Sequence, residues 1–271
     1  MTKFNRRKFF GWTAGILATT VLGAWFGRRS IINNMLTQNN PDLDLTLAPK
    51  TVDDLCILTS RQVEGPFYFP SPFRSNITDN RTGKAMKLKL QIFSHPDCKP
   101  IEGAIVEVWH ADAEGVYSGY PEEIARDVWE SFYFIAKNGI ERNGEYHVDP
   151  TEKTNFLRGQ QRTNELGEVE FNTIFPGWYA NRVPHIHFKV FINEKEYVTS
   201  QLYLKSDICD HVYTSIAPYD KYGKCPLPFE RDIVLKDKGH GLLLNTRMDM
   251  DIINAEGKIG IDYDSNNVKI G

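Results

Sequence analysis

A run in which every second residue is apolar has one natural geometry, a strand with one buried face and one wet face, and this chain is built largely of such runs. In 86–92 (MKLKLQI) the apolar side chains fall on alternate positions. The segments 104–110 (AIVEVWH), 168–172 (EVEFN), 185–192 (HIHFKVFI), 198–204 (VTSQLYL), 248–254 and 258–263 behave similarly, with Gly, Pro, Asn and Asp between them. The last two flank Ala255, Glu256 and Gly257 and read as a hairpin. One helix is predicted, over 121–136, where Ile124, Val128, Phe132 and Ile135 recur at helical spacing. No repeat or low-complexity tract interrupts the pattern. The fold class is therefore all-β: a two-sheet β-sandwich with a helical insertion. At 271 residues and 41% hydrophobic, the chain can bury one sizeable core, assigned to a domain over 51–271.

Ahead of that domain stand a segment over 1–29 and a polar linker over 30–50. Residues 2–29 read TKFNRRKFFGWTAGILATTVLGAWFGRR, a basic stretch followed by an uncharged run over 9–27 about long enough to span a bilayer. Arg6, Arg7, Lys8, Phe9 and Phe10 before this moderately apolar run resemble a bacterial twin-arginine signal, with Asn5, Phe10 and Gly11 departing from the usual residues. An ordinary signal anchor with a chance Arg-Arg pair is the alternative. Both place the body outside the cytoplasm, periplasmic or extracellular, and retention as a membrane anchor through 9–27 stays open because no convincing cleavage site follows. Six of the 32 basic side chains lie in the first 29 residues, which hold no acid, so the remainder carries 26 bases against 35 acids. So acidic a body would be repelled by phosphates, which argues against nucleic-acid binding. Cysteines 56, 98, 209 and 225 form no CxxC pair and read as two disulfides, Cys209 with Cys225 and Cys56 with Cys98, with free buried thiols as the alternative.

The chemistry concentrates in FPGWYANRVPHIHFK (175–189). Period two on a strand puts His185 and His187 on one face, where both imidazoles can reach one ion. No Cys, Asp or Glu stands nearby at an obvious ligand spacing. Tyr179 does, and a second tyrosine, Tyr117, lies upstream in VEVWHADAEGVYSGY. A phenolate is a hard anionic ligand that favours ferric over divalent ions.

EGPFYFP (64–70), GAIVEVWHADAEGVYS (103–118), FLRGQQRTNELGEVEFNTIFPGWYANRVPHIHFKV (156–190) and TSQLYL (199–204) together resemble the intradiol ring-cleavage dioxygenases, across roughly 55–205. The resemblance implies one Fe(III) per chain held by Tyr117, Tyr179, His185 and His187. It implies that Arg182 stabilises charge developing on the substrate ring, and that Gln201 orients the ligand set or the substrate. The implied reaction is ortho cleavage of a catechol by O2 to a cis,cis-muconate-type dicarboxylate, with Tyr179 the ligand that catechol displaces and protonates. The helical segment that precedes the core in catechol-type members has no room here, and the segment between Tyr117 and Phe156 is a long insertion. That insertion could cap the pocket, cover an edge strand or form a subunit contact.

Other polar residues read more plainly. His110 is a packing residue or stands behind the ligands. His95, His147, His211 and His240 lie in turn-like contexts and are expected to do nothing special; Arg162 is expected at the surface. Phe67, Tyr68 and Trp178 either line a pocket or pack. Two other functions compete: a catalytically silent β-sandwich binding module, which the intact set of five site residues disfavours, and a zinc hydrolase using the HxH strand, which lacks an evident third ligand and a carboxylate base.

Overall fold

The computed structural model describes residues 57–121, 127–142, 144–179, 182–238 and 241–264. The signal-like segment, the linker, Cys56, Ile124 and His240 lie outside the described residues. Two main sheets carry the fold. One is four-stranded in the order β10-β11-β1-β6: β1 is Ala85–His95, β6 Glu168–Ile174, β10 Asn245–Asp249 and β11 Ile252–Asp262. The other is five-stranded in the order β5-β2-β7-β8-β9: β2 is Ile105–Trp109, β5 Arg158–Arg162, β7 His185–Ile192, β8 Lys195–Tyr203 and β9 Leu242–Leu243. A small hairpin, β3 (Ile140–Arg142) with β4 (Glu145–His147), belongs to the insertion. Among the described residues no helix is long and apolar enough to cross a membrane.

Alternation sorts the side chains of the second sheet. Val106 and Val108 of β2, with Ile186, Phe188 and Val190 of β7, join Leu88, Leu90 and Ile92 of β1 and Phe171 of β6 in one apolar core between the sheets. The intervening residues, Glu107, Trp109, His185, His187 and Lys189, face the other way, yet they are buried as well. A second cluster covers them, built from Phe67, Trp109, Ala111, Tyr117, Tyr120 and Val148, with Phe134 and Ile135 of the insertion packed against it. A strand buried on both faces is thus apolar on one side only, which leaves its other side free for chemistry.

Two expectations change here. The late hairpin turns at Met250 and Asp251, not at 255–257, and β11 runs unbroken through Ala255, Glu256 and Gly257, which pair in parallel with Leu88, Lys89 and Leu90. Gly257 marks a close approach: a Cβ there would stand 2.9 Å from Leu244 Cδ2 and 3.1 Å from Leu90 Cδ2. The helix of the insertion, α1, is Val128–Asn138, started by the Asp127 side chain, which accepts from Trp129 N–H and Glu130 N–H. Two further helices went unread, α2 (Ser206–Ser215) and α3 (Ile233–Lys238). The predicted 209–225 disulfide is absent: Cys209 is a buried thiol on α2 and Cys225 a half-buried one, both free. Cys98 is disulfide-bonded.

His110 shows what the double burial costs. Its Nδ1 lies 2.7 Å from Ala111 O and its Nε2 2.7 Å from Thr173 Oγ1, and burial pushes its pKa from 6.5 down to about 4. Between these values the unfolded chain binds a proton that the folded one refuses. Stability is therefore expected to be unaffected by this group above pH 6.5 and to fall by about 3 kcal/mol as pH drops to about 4. Urea titrations of native and His110→Gln protein across that window check this; parallel pH profiles would refute it.

Candidate metal centre

Two loops and one strand bring four donors together. In the first loop Asp112 Oδ1 accepts from Glu114 N–H and Val116 N–H, both at 2.9 Å, and Gly115 takes φ +81°, so the chain doubles back before Tyr117. Gly115 packs on the second loop so closely that a Cβ would stand 2.4 Å from Trp178 O and 3.1 Å from Tyr179 Cβ. Gly177 N–H also donates to Asp112 O at 2.8 Å. The two tyrosine loops are thereby fastened side by side. Strand β7 begins at His185, directly below them.

Tyr117 Oη lies 3.5 Å from Tyr179 Oη and 3.4 Å from His185 Nε2; Tyr179 Oη lies 3.2 Å from His185 Nε2, which lies 3.1 Å from His187 Nε2. Donors about 2.0–2.1 Å from one ion in tetrahedral array stand ~3.3 Å apart, so these spacings suit a shared ion. His185 Nδ1 is 2.6 Å from Val183 O, a bond that places its proton on Nδ1 and leaves Nε2 bare toward the cluster. His187 lies between Trp109 and Gln201 in register, and the Trp109 ring stacks on it at 4.8 Å and 8°. Burial lowers the pKa of both histidines well below the ordinary value and raises that of both tyrosines. Without a cation the four groups are neutral. A buried cation reverses that balance for the phenols, and two phenolates would neutralise two of its charges.

Arg182 and Gln201 lie together in a buried hydrogen-bond network beside this cluster. Arg182 Nη2 donates to Gln201 Oε1 at 2.5 Å, and Gln201 Nε2 donates to Val63 O at 3.1 Å. Arg182 Nε donates at 2.9 Å to Asp232, a fully buried carboxylate that also accepts from Val183 N–H at 3.0 Å. The other Asp232 oxygen accepts from Val234 and Leu235 N–H and so starts α3. The facing Asp232 charge raises the Arg182 pKa against the effect of burial. Tyr203 Oη completes the network, 3.0 Å from Gln201 Oε1 and 3.1 Å from Gln62 Oε1.

Asp232 and Arg158 were missed. Arg158 is fully buried, with Nε donating to Ser118 Oγ at 2.7 Å and Nη2 to Phe67 O at 2.7 Å, and its guanidinium lies 3.8 Å over the Phe69 ring. Burial lowers its pKa to about 10, and the nearby Tyr120 and Tyr117 would favour its charge if ionised. Nothing local in FLRGQQR (156–162) marks its first arginine as buried. Arg162 is exposed as expected, and His110 packs. Phe67 packs 5.4 Å from Tyr117, Tyr68 donates to Glu107, and Trp178 Nε1 donates to Gly223 O. His147 departs from expectation: it is a buried strand residue on β4. Among the described residues no Asp, Glu or Cys completes a three-residue metal group with the HxH pair.

A two-sheet sandwich with two tyrosines and two histidines converging beneath fastened loops defines a β-fold protein with a buried, metal-suited donor cluster. The comparisons give the class its family. A family model described as "Dioxygenase" matches residues 64–221. Catechol 1,2-dioxygenase 1 of Acinetobacter lwoffii is 28% identical over 174 residues, covering 55% of this chain and 47% of that protein. A chlorocatechol 1,2-dioxygenase of Cupriavidus pinatubonensis is 26% identical over 179 residues, covering 58% and 62%. Among solved structures, an intradiol ring-cleavage dioxygenase from Tetranychus urticae superposes with a TM-score of 0.63 at 29% identity, covering 78% of this chain and 98% of that one. This chain belongs to the intradiol ring-cleavage dioxygenase family. It spans about half the length of the first curated relative it matches.

Proposed function

We propose that this chain is a non-haem Fe(III) dioxygenase that opens the ring of a catechol between its two hydroxyl-bearing carbons, giving a cis,cis-muconate-type dicarboxylate. The observation that carries the reading is the convergence of Tyr117, Tyr179, His185 and His187 with the Arg182 guanidinium alongside. Those four residues would hold one ferric ion. When bound, ferric iron supplies Lewis acidity that draws electron density from a chelated catecholate and makes its ring reactive toward O2. Two anionic and two neutral donors leave one positive charge, which favours a dianionic catecholate over a neutral phenol. Tyr179 Oη has the role of base: burial raises the affinity of its phenolate for a proton, so it can take one from an incoming catechol hydroxyl. Arg182, fixed by Asp232 and Gln201, is a preorganised cation for charge developing on the ring. Gln201 acts through Arg182.

The chain works outside the cytoplasm in this reading. The basic and apolar start of the sequence, resembling a twin-arginine signal, and the disulfide at Cys98 support export, with residues 9–27 as a membrane anchor. The test is a visible spectrum of the iron-loaded protein before and after anaerobic catechol. A tyrosinate-to-iron absorption band that shifts on addition is expected; a colourless protein after iron loading would overturn the reading.

A further inference from the structure

A second set of metal-type donors lies away from the Tyr/His cluster. Glu64, Glu145 and His147 each offer one donor atom, all within 4.8 Å of one another. They line a cavity of about 300 Å³ together with Arg61, Arg142, Lys189, Glu196 and Thr199. His147 Nδ1 is 3.3 Å from Glu64 Oε2, and Glu145 Oε2 accepts from Glu64 N–H at 3.0 Å.

The charges lining this cavity match in number, three carboxylates against three cations, but not in pairing. Lys189 pairs with Glu64 Oε1 and lies 2.9 Å from Glu196, which Arg61 also meets at 3.1 Å. Arg142 turns to Asp149. Among the described residues no salt bridge joins a cation to Glu145, and the second oxygen of Glu64 lies 3.3 Å from the His147 imidazole. Two carboxylate oxygens and an imidazole nitrogen therefore surround a point at which the Glu145 carboxylate has no cation partner among the described residues. The 3.3 Å edge between His147 and Glu64 equals the ~3.3 Å separation of neighbouring ligands about 2.0–2.1 Å from zinc. An imidazole in the set favours zinc over calcium or magnesium, and the cavity leaves room for water on the open side.

We propose that Glu64, Glu145 and His147 form a second metal site for a divalent ion of the zinc class, with a structural role at the wall of the Tyr/His centre. Glu64 precedes Gly65, where a Cβ would stand 3.4 Å from His187 Cε1. On either side, Val63 O accepts from Gln201 and Pro66 O accepts from Val148 N–H. An ion here rivets the 62–66 segment, which lies over His187, to β4 of the insertion. The site draws on none of the four Tyr/His donors, so it stands whether or not that cluster holds iron.

The test uses the full chain, iron-loaded, dialysed against zinc and assayed for both metals, with hydrogen exchange followed over 62–66 and 145–148. One zinc per chain beyond the iron is expected, with slower exchange in both segments. His147→Ala and the milder Glu145→Gln should each lower zinc affinity at least about 100-fold, more than loss of a residue behind a ligand usually does, while leaving the visible band unchanged. Absence of zinc from the native chain, or equal retention by Glu145→Gln, would overturn the proposal. The visible band reads the first centre separately, so failure of the iron reading is distinguishable from failure of this one.

Discussion

Tyr117→Phe and Tyr179→Phe proteins are expected to fold as the native chain does and to hold ferric iron more than about 100-fold less tightly, since even residues behind a ligand cost 10–100-fold in metal affinity. Each substitution removes one oxygen and keeps the ring. Among the described residues Tyr117 Oη is within hydrogen-bonding distance of Tyr179 and His185, at 3.5 and 3.4 Å, and of no other residue, so its loss takes no hydrogen bond from the rest of the described fold. Burial already disfavours both phenolates. The iron-free Tyr117→Phe protein should therefore be unchanged in stability to within about 1 kcal/mol, because exchanging a weakly bonded buried hydroxyl for hydrogen is close to neutral. The two effects part company: affinity collapses while stability holds. Chelator competition gives the first and urea unfolding of the iron-free proteins the second. Native iron affinity in both variants would remove the tyrosines from the ligand set.

Asp232→Asn is the second large effect, and here stability and rate fall together. The carboxylate is fully buried and faces the Arg182 guanidinium at 2.9 Å. Removing one partner of a buried ion pair leaves the other charge uncompensated, at about 3–5 kcal/mol. Asn keeps an oxygen for Val183 or for the start of α3 but brings an N–H₂ group where the second oxygen accepted. In the reading above, kcat should drop about 100- to 1,000-fold as the guanidinium loses its orientation, the scale of losing one preorganised donor. The visible band of the iron-loaded variant should persist, since none of the four donors is touched. In the Arg182→Met, Asp232→Asn double variant the stability losses should sum to less than the two singles, because the unpaired charge is gone. Additive losses would show that the two residues act apart.

Strand β7 was legible with its observed bounds because one face had to be apolar to meet the first sheet, and the alternation was clean. That Tyr117, Tyr179, His185 and His187 would come together was legible from their motifs, and the glycines at 115 and 177 show why: each motif fastens one loop to the other. Asp232 was not. It lies 50 residues beyond Arg182, in a polar stretch with no periodicity, and only tertiary packing brings it back. Helix α2 hid for a related reason, being ten residues with three buried side chains set among Asp, Pro and Gly that read as loop. Gly257 misled in the other direction, since a glycine in a strand signals either a turn or a close approach, and the neighbour that decides is on another strand. That Cys209 and Cys225 stay free thiols was not legible, because sequence spacing carries no disulfide geometry.

The parallel pairing of β1 with β11 has a consequence for synthesis. Residues 85–95 lie beside residues 252–262, with Met86 opposite Ile253 and His95 opposite Asp262, and β11 is the only strand that joins β10 to the rest of its sheet. On a translating ribosome the first of these strands waits for the second through more than half the length of the chain. Its apolar edge must stay soluble or be shielded through that interval, and the four-stranded sheet can close only once residues 252–262 have been made. A nascent chain stopped before residue 252 would lack an interior strand, so the sandwich closes late rather than being built up strand by strand.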